Sequence, residues 1–125
     1  MNPIAYEPKH FPMIQSWFKH YNMQLNEFLL PPIGFIVENQ AVGFLCEAGS
    51  PMCFLENLCK NPELDKETTD KALDSVIQAL FNKAQSIGIK LIVASTVFEV
   101  VKDRAIKNGA TVDPDMYFHL YKSFE

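Results

Sequence analysis

Residues 52–96 read MCFLENLCKNP, then ELDKETTDKALDSVIQALFNKAQSIG, then IKLIVAST. A near-continuous apolar run, a tight turn, a long helical pattern, a glycine stop and a second apolar run make one βαβ unit. The helix is carried by Leu73, Val76, Ile77, Leu80, Ala84 and Ile87, spaced so that all six share one face. Gly88 ends it. Asp65, Thr68 and Thr69 are all candidate N-caps, and the earliest, Asp65, is the expected start. The right-handed crossover rule places the strand from Leu91 to Ser95 parallel to that from Met52 to Lys60. In many phosphate-binding proteins the turn before such a helix is glycine-rich. Here it carries Glu63, Asp65, Glu67 and Asp70, with no glycine.

Upstream, Ile4 to Tyr6 is a short strand candidate. Ile14, Trp17, Phe18, Tyr21 and Leu25 then recur at helical spacing, with Pro12 in the first turn, where its missing N–H is harmless. A short helical turn is expected at Gln24 to Leu29, ahead of the rigid Leu30-Pro31-Pro32 corner. Ile33 to Val37 and Val42 to Glu47 pair as a hairpin across Glu38-Asn39-Gln40-Ala41, and Ala48-Gly49-Ser50-Pro51 turns into the central strand. Glu56 and Asn57 interrupt that strand, which is otherwise apolar as expected of one covered on both faces.

Downstream, Thr96-Val97-Phe98-Glu99 has the form of a capping box opening another helix, ended by Asn108-Gly109. Residues 111–113 and 116–124 are expected to close the sheet as a hairpin, with Tyr117, His119 and Tyr121 on one face of its last strand. That row faces either a substrate groove or solvent and a partner subunit. The element order β-α-(α)-β-β-β-α-β-α-β-β predicts one α/β domain over residues 1–125, a mixed sheet with helices on both sides.

The net charge of −4 and the presence of a single arginine, Arg104, argue against a basic nucleic-acid face. No apolar run approaches the ~20 residues that a membrane helix needs, and the first five residues do not resemble a signal peptide. A cytoplasmic location is expected, with no membrane partner. Cys46, Cys53 and Cys59 all fall in predicted strands and read as reduced, buried thiols. His10, His20 and His119 are too dispersed for a metal motif, so no metal is expected.

This order of elements, together with Gly34-Phe35-Ile36-Val37, Val42-Gly43-Phe44-Leu45, Leu55-Glu56-Asn57-Leu58-Cys59-Lys60-Asn61-Pro62-Glu63, Ala84 to Thr96 and Lys107-Asn108-Gly109-Ala110, resembles the GNAT superfamily of acyl-CoA-dependent N-acyltransferases. His10-Phe11-Pro12 sits where that family begins its first helix. The resemblance implies a mostly antiparallel sheet in which one parallel strand pair splays apart, so that the fourth strand binds the pantetheine arm of acetyl-CoA. It places that contact on the backbone of Leu58, Cys59 and Lys60. A Gln/Arg-x-x-Gly-x-Gly/Ala loop then wraps the pyrophosphate with backbone N–H groups.

By position that loop falls on residues 65–70, where Asp65, Thr68 and Asp70 replace its three key residues. Thr68, Thr69 and Lys71 are the remaining candidate coenzyme contacts at the helix start. The acidic run from Glu63 to Asp70 reads as a solvated helix start; its carboxylates favour the helix and disfavour a diphosphate. The family's general-acid Tyr, four residues before the helix-ending glycine, falls on Ala105.

Glu56 is the candidate catalytic base for the attacking amine; otherwise it is a carboxylate paired within the sheet or reaching an edge. Asn57 is expected to satisfy backbone groups where the strands diverge. The resemblance further implies a small-molecule or protein amine as acceptor, and a homodimer formed through the C-terminal strands. Short members with a worn phosphate loop resemble phage or prophage proteins. The alternative function is a non-catalytic binding or interaction module that has lost CoA.

Overall fold

The computed structural model describes residues 2–96, 99–112 and 122. Its strands are β1 (Ile4–Ala5), β2 (Ile33–Val37), β3 (Ala41–Ser50), β4 (Met52–Lys60) and β5 (Leu91–Ala94), and its helices α1 (Phe11–His20), α2 (Lys66–Ser86) and α3 (Glu99–Lys107). The strands form one sheet in the order β1-β2-β3-β4-β5, antiparallel except for the β4/β5 pair. This is the mixed, mostly antiparallel sheet expected from the sequence, with one parallel pair among the described residues, at the βαβ crossover. The capping box at residues 96–99 includes two positions outside the described residues. Of the strand expected over residues 116–124 only Lys122 is among the described residues; Tyr117, His119 and Tyr121 lie outside them.

Two apolar clusters flank the sheet. On one face, Ala72, Leu73, Val76, Ile77, Leu80 and Ala84 of α2 pack on Val37, Ala41, Leu45, Cys53 and Leu55, joined by Val101 of α3. Five of the six stripe residues named from the sequence are in this cluster. Ile87, the sixth, falls at the helix C-cap and is 40% exposed. On the other face, Ile14, Trp17 and Phe18 of α1 cover Ile36, Val42, Phe44 and Cys59. The side chains of β3 alternate between the two clusters, which is why a single strand serves both.

Local chemistry moved some element ends. The helical spacing that included Tyr21 and Leu25 is cut short, because α1 ends at His20 and Asn22 adopts a left-handed φ of 58°, a conformation asparagine tolerates. The turn expected over residues 24–29 tightens to a 3-10 turn at Glu27–Leu29, capped by the Asn26 side chain accepting from Phe28 N–H at 3.0 Å. β3 runs to Ser50, beyond the expected Glu47, and absorbs a register irregularity between Glu47 and Ser50. Gly49 sits there at φ 77°.

Candidate functional site

β4 has two halves with different neighbours. Residues 52–55 pair in parallel with β5, ending at Leu55 with Ala94. Residues 56–60 continue past that point and, among the described residues, pair only with β3. The parallel pairing therefore covers only the first half of β4 in the described chain. The second half begins with a bulge against β3: Val42 pairs with Cys59 but Phe44 with Glu56, so Gly43 faces two residues of β4, Asn57 and Leu58. Asn57 supplies the kink with φ 53°. Asn57, expected to act through its side chain, contributes here through its backbone.

Gly43 makes the bulge possible. A Cβ there would lie 2.5 Å from Leu58 Cδ2 and 3.0 Å from Leu80 Cδ1 and Val76 Cγ1. Leu58 thus folds over the glycine onto α2, half-buried against the core. The extra residue resets the alternation. Cys59 points to the α1 cluster and Lys60 to α2. Glu56 is exposed at the first position beyond the zipped half, directly across from Phe44. No hydrogen bond or ion pair of its carboxylate is found among the described residues, so it is available to solvent rather than paired within the sheet.

The thiols differ in environment. Cys59 is buried, and burial pushes its pKa up to about 12 despite the backbone hydrogen bond and charge of Lys60. Burial, with Glu47 and Cys46 nearby, likewise raises Cys53. Neither thiol has the stabilised thiolate that a nucleophile requires. Cys46 is only half-buried, unlike the fully buried thiol expected.

Beyond Lys60 the chain is fixed by Asn61, which is 5% exposed. Its N–H donates to the carbonyl of Gln40 at 2.8 Å, and its Nδ2 to the carbonyl of Asn39, also at 2.8 Å. Its Oδ1 accepts from Glu63 N–H at 2.9 Å, which turns the chain through Pro62 toward α2. On the α1 side of this turn lies a polar cleft of about 460 Å³ bordered by Ser16, Trp17, His20, Asn39, Asn61 and Glu63.

The start of α2 is closed by its own side chains. Asp65 is the N-cap: its Oδ2 accepts from Thr68 N–H at 3.0 Å, and both its oxygens accept from the Thr68 hydroxyl, at 2.8 and 2.9 Å. These bonds hold the Asp65 carboxyl below the usual range. Thr69 is 1% exposed, and its hydroxyl donates back to the carbonyls of Asp65, at 3.1 Å, and Lys66, at 3.3 Å. The helix thus begins at Lys66, immediately after its expected cap.

Asp70 departs from the solvated reading of the acidic run. Its side chain is 9% exposed and holds two lysines, Lys60 at 2.6 Å and Lys66 on the other oxygen. Burial alone would raise its pKa, but the hydrogen bonds and charges of Lys60 and Lys66 outweigh this and hold it low. Lys71 is exposed and pairs with Glu67 at 3.4 Å. The Lys60–Asp70 clamp was missed in the sequence, although a lone lysine at the end of an apolar strand was its signal. On α3, Arg104 and Lys107 both donate to Asp74 of α2 at 3.2 Å, and Ala105 offers no hydroxyl.

The proposed coenzyme contacts therefore fall into two groups. Leu58, Cys59 and Lys60 lie on the free half of β4. Thr68, Thr69 and Lys71 lie on the first turns of α2, each engaged in a contact of its own. Among the described residues no group of three His, Cys, Asp or Glu is placed to hold a metal ion, and no helix is long and apolar enough to cross a membrane.

No protein-family model and no curated protein matches the sequence. Solved structures do match the fold. A probable acetyltransferase superposes over the whole of both chains with a TM-score of 0.75 at 14% identity. A GNAT-family acetyltransferase from Streptococcus pneumoniae TIGR4 matches with a TM-score of 0.70 at 10% identity, over 98% of each chain. An aminoglycoside acetyltransferase from an uncultured soil metagenomic sample, solved in complex with sisomicin, matches with a TM-score of 0.66 at 13% identity, over 99% of this chain and 96% of its own. Strand order, the parallel β4/β5 pair and these superpositions agree that the chain has the fold of the GNAT acyl-CoA N-acyltransferases.

Proposed function

We propose that the protein is an N-acyltransferase that takes an acyl group from a thioester of the acetyl-CoA kind and passes it to an amine, on a small molecule or a protein. The observation that carries this reading is the free half of β4, where a bulged strand leaves its partner and exposes Glu56. The donor supplies an activated thioester carbonyl. An extended, amide-containing arm lies against residues 56–60 by backbone hydrogen bonding, as an added strand does. Glu56 accepts the proton of the attacking amine as the C–N bond forms and the C–S bond breaks. The departing thiolate is protonated from water, since Ala105 carries no acid.

The closed start of α2 favours a second reading, a binding module without transfer. Melting the protein with millimolar acetyl-CoA separates the two. Ligand at ~10 times its dissociation constant stabilises by roughly 1.4 kcal/mol, which raises Tm by about 4 °C for a domain of this size. Release of free thiol that depends on added amine completes the test. No shift and no thiol release at millimolar donor overturn the transferase reading and leave the module.

A further inference from the structure

Building on that reading of β4, we infer that the donor is recognised as a pantetheine thioester, with its nucleotide left ungripped. The two ends of a CoA molecule need different chemistry. The pantetheine arm is uncharged and peptide-like, and asks only for an open strand edge such as that of residues 56–60, which among the described residues pair only with β3. The diphosphate needs several unengaged N–H groups or cations that converge, and close backbone approach.

At the start of α2 the groups that could meet those requirements are largely engaged elsewhere. Thr68 N–H is taken by Asp65 Oδ2 at 3.0 Å. Thr69 is 1% exposed, with its hydroxyl committed to the helix backbone. Lys60 and Lys66 share Asp70, and Lys71 is held by Glu67. Around the turn, four carboxylates (Glu63, Asp65, Glu67, Asp70) face three lysines (Lys60, Lys66, Lys71), a local balance of 3 − 4 = −1. That balance repels a diphosphate and is indifferent to an uncharged arm. The ligand chemistry is thus an acyl-pantetheine, either free or borne on a carrier protein through a single phosphodiester.

The test is direct binding of S-acetylpantetheine, acetyl-CoA and adenosine 3′,5′-bisphosphate to the full chain, followed by isotope-edited NMR. The expected result is that acetyl-CoA binds no more than about tenfold tighter than S-acetylpantetheine, a difference of about 1.4 kcal/mol, and that the bisphosphate displaces neither. Acetyl-CoA binding more than about tenfold tighter, with the bisphosphate competing, overturns the inference but leaves the transferase reading standing. Failure of both thioesters to bind removes the transferase reading itself, and this inference with it. An Asp65→Asn variant keeps the cap and removes its charge. It should gain affinity for acetyl-CoA severalfold and for S-acetylpantetheine not at all; an equal gain for both contradicts the proposal. Comparing S-acetylpantetheine with an acetylated carrier protein identifies the source by the tighter of the two.

Discussion

The free half of β4 and the first turn of α2 are joined by five residues, yet the sequence treats them in opposite ways. At the strand, Gly43 and Asn57 make a bulge: one removes a side chain, the other adopts a left-handed backbone, and, among the described residues, residues 56–60 pair only with β3. At the helix, Asp65 takes the Thr68 N–H, the Thr69 hydroxyl turns back on the helix backbone, and Asp70 holds two lysines. In an acyl-CoA site these two places hold the arm and the diphosphate. The contrast shows that the two grips are physically separable, because one depends on strand pairing and the other on N–H groups and charge.

The largest effect should come from breaking the closed side. Asp70→Ala leaves Lys60, whose side chain is 13% exposed, without its carboxylate. A loss of about 3 kcal/mol is expected for an ion this buried, or roughly 10 °C in Tm. The sign with pH follows from the lowered pKa of Asp70. Its contribution is complete above the ordinary carboxylate range and is lost as pH falls through its depressed native value. Thermal melts of Asp70→Asn should therefore lose less stability than the parent on acidification below about pH 4. An unchanged acid slope would mean that the clamp is not formed.

Glu56→Gln is next, and acts on the open side without touching the core. Amine-dependent thiol release should fall about 100-fold, equivalent to about 2.7 kcal/mol in the barrier, while Tm stays within a degree or two of the parent. A variant of full activity would remove Glu56 as the base.

Gly43→Ala tests how the open side is made. The new methyl meets Leu58, Leu80 and Val76, and overpacking of this kind costs about 2 kcal/mol. Denaturant midpoints measure it. Donor binding should weaken together with stability, because Leu58 is pushed out of the bulge; a stable variant that binds normally would show that the bulge does not shape the edge.

Much of the open side was legible beforehand, and little of the closed side. The stripe from Leu73 to Ala84, the stop at Gly88 and the apolar runs before and after them determine the βαβ unit, since period and burial are local properties of a sequence. Glu56 could be singled out because a charge in an apolar strand is conspicuous. The bulge could not, because a one-residue register slip at Asn57 depends on Gly43 across the sheet. The role of Asp70 was hidden for a related reason: its partner Lys60 is ten positions away on another element, so composition saw a solvated acidic turn where the fold makes a buried ion pair. Leu25 misled in the opposite direction, since its spacing fits a helix that Asn22 ends early.

Amide chemical shifts recorded while S-acetylpantetheine is added to the labelled protein test the central contrast most directly. The account predicts that the amides of residues 56–60 move, and that those of Thr68 and Thr69 stay in place. Shifts centred on Thr68 and Thr69, with residues 56–60 unmoved, would contradict it.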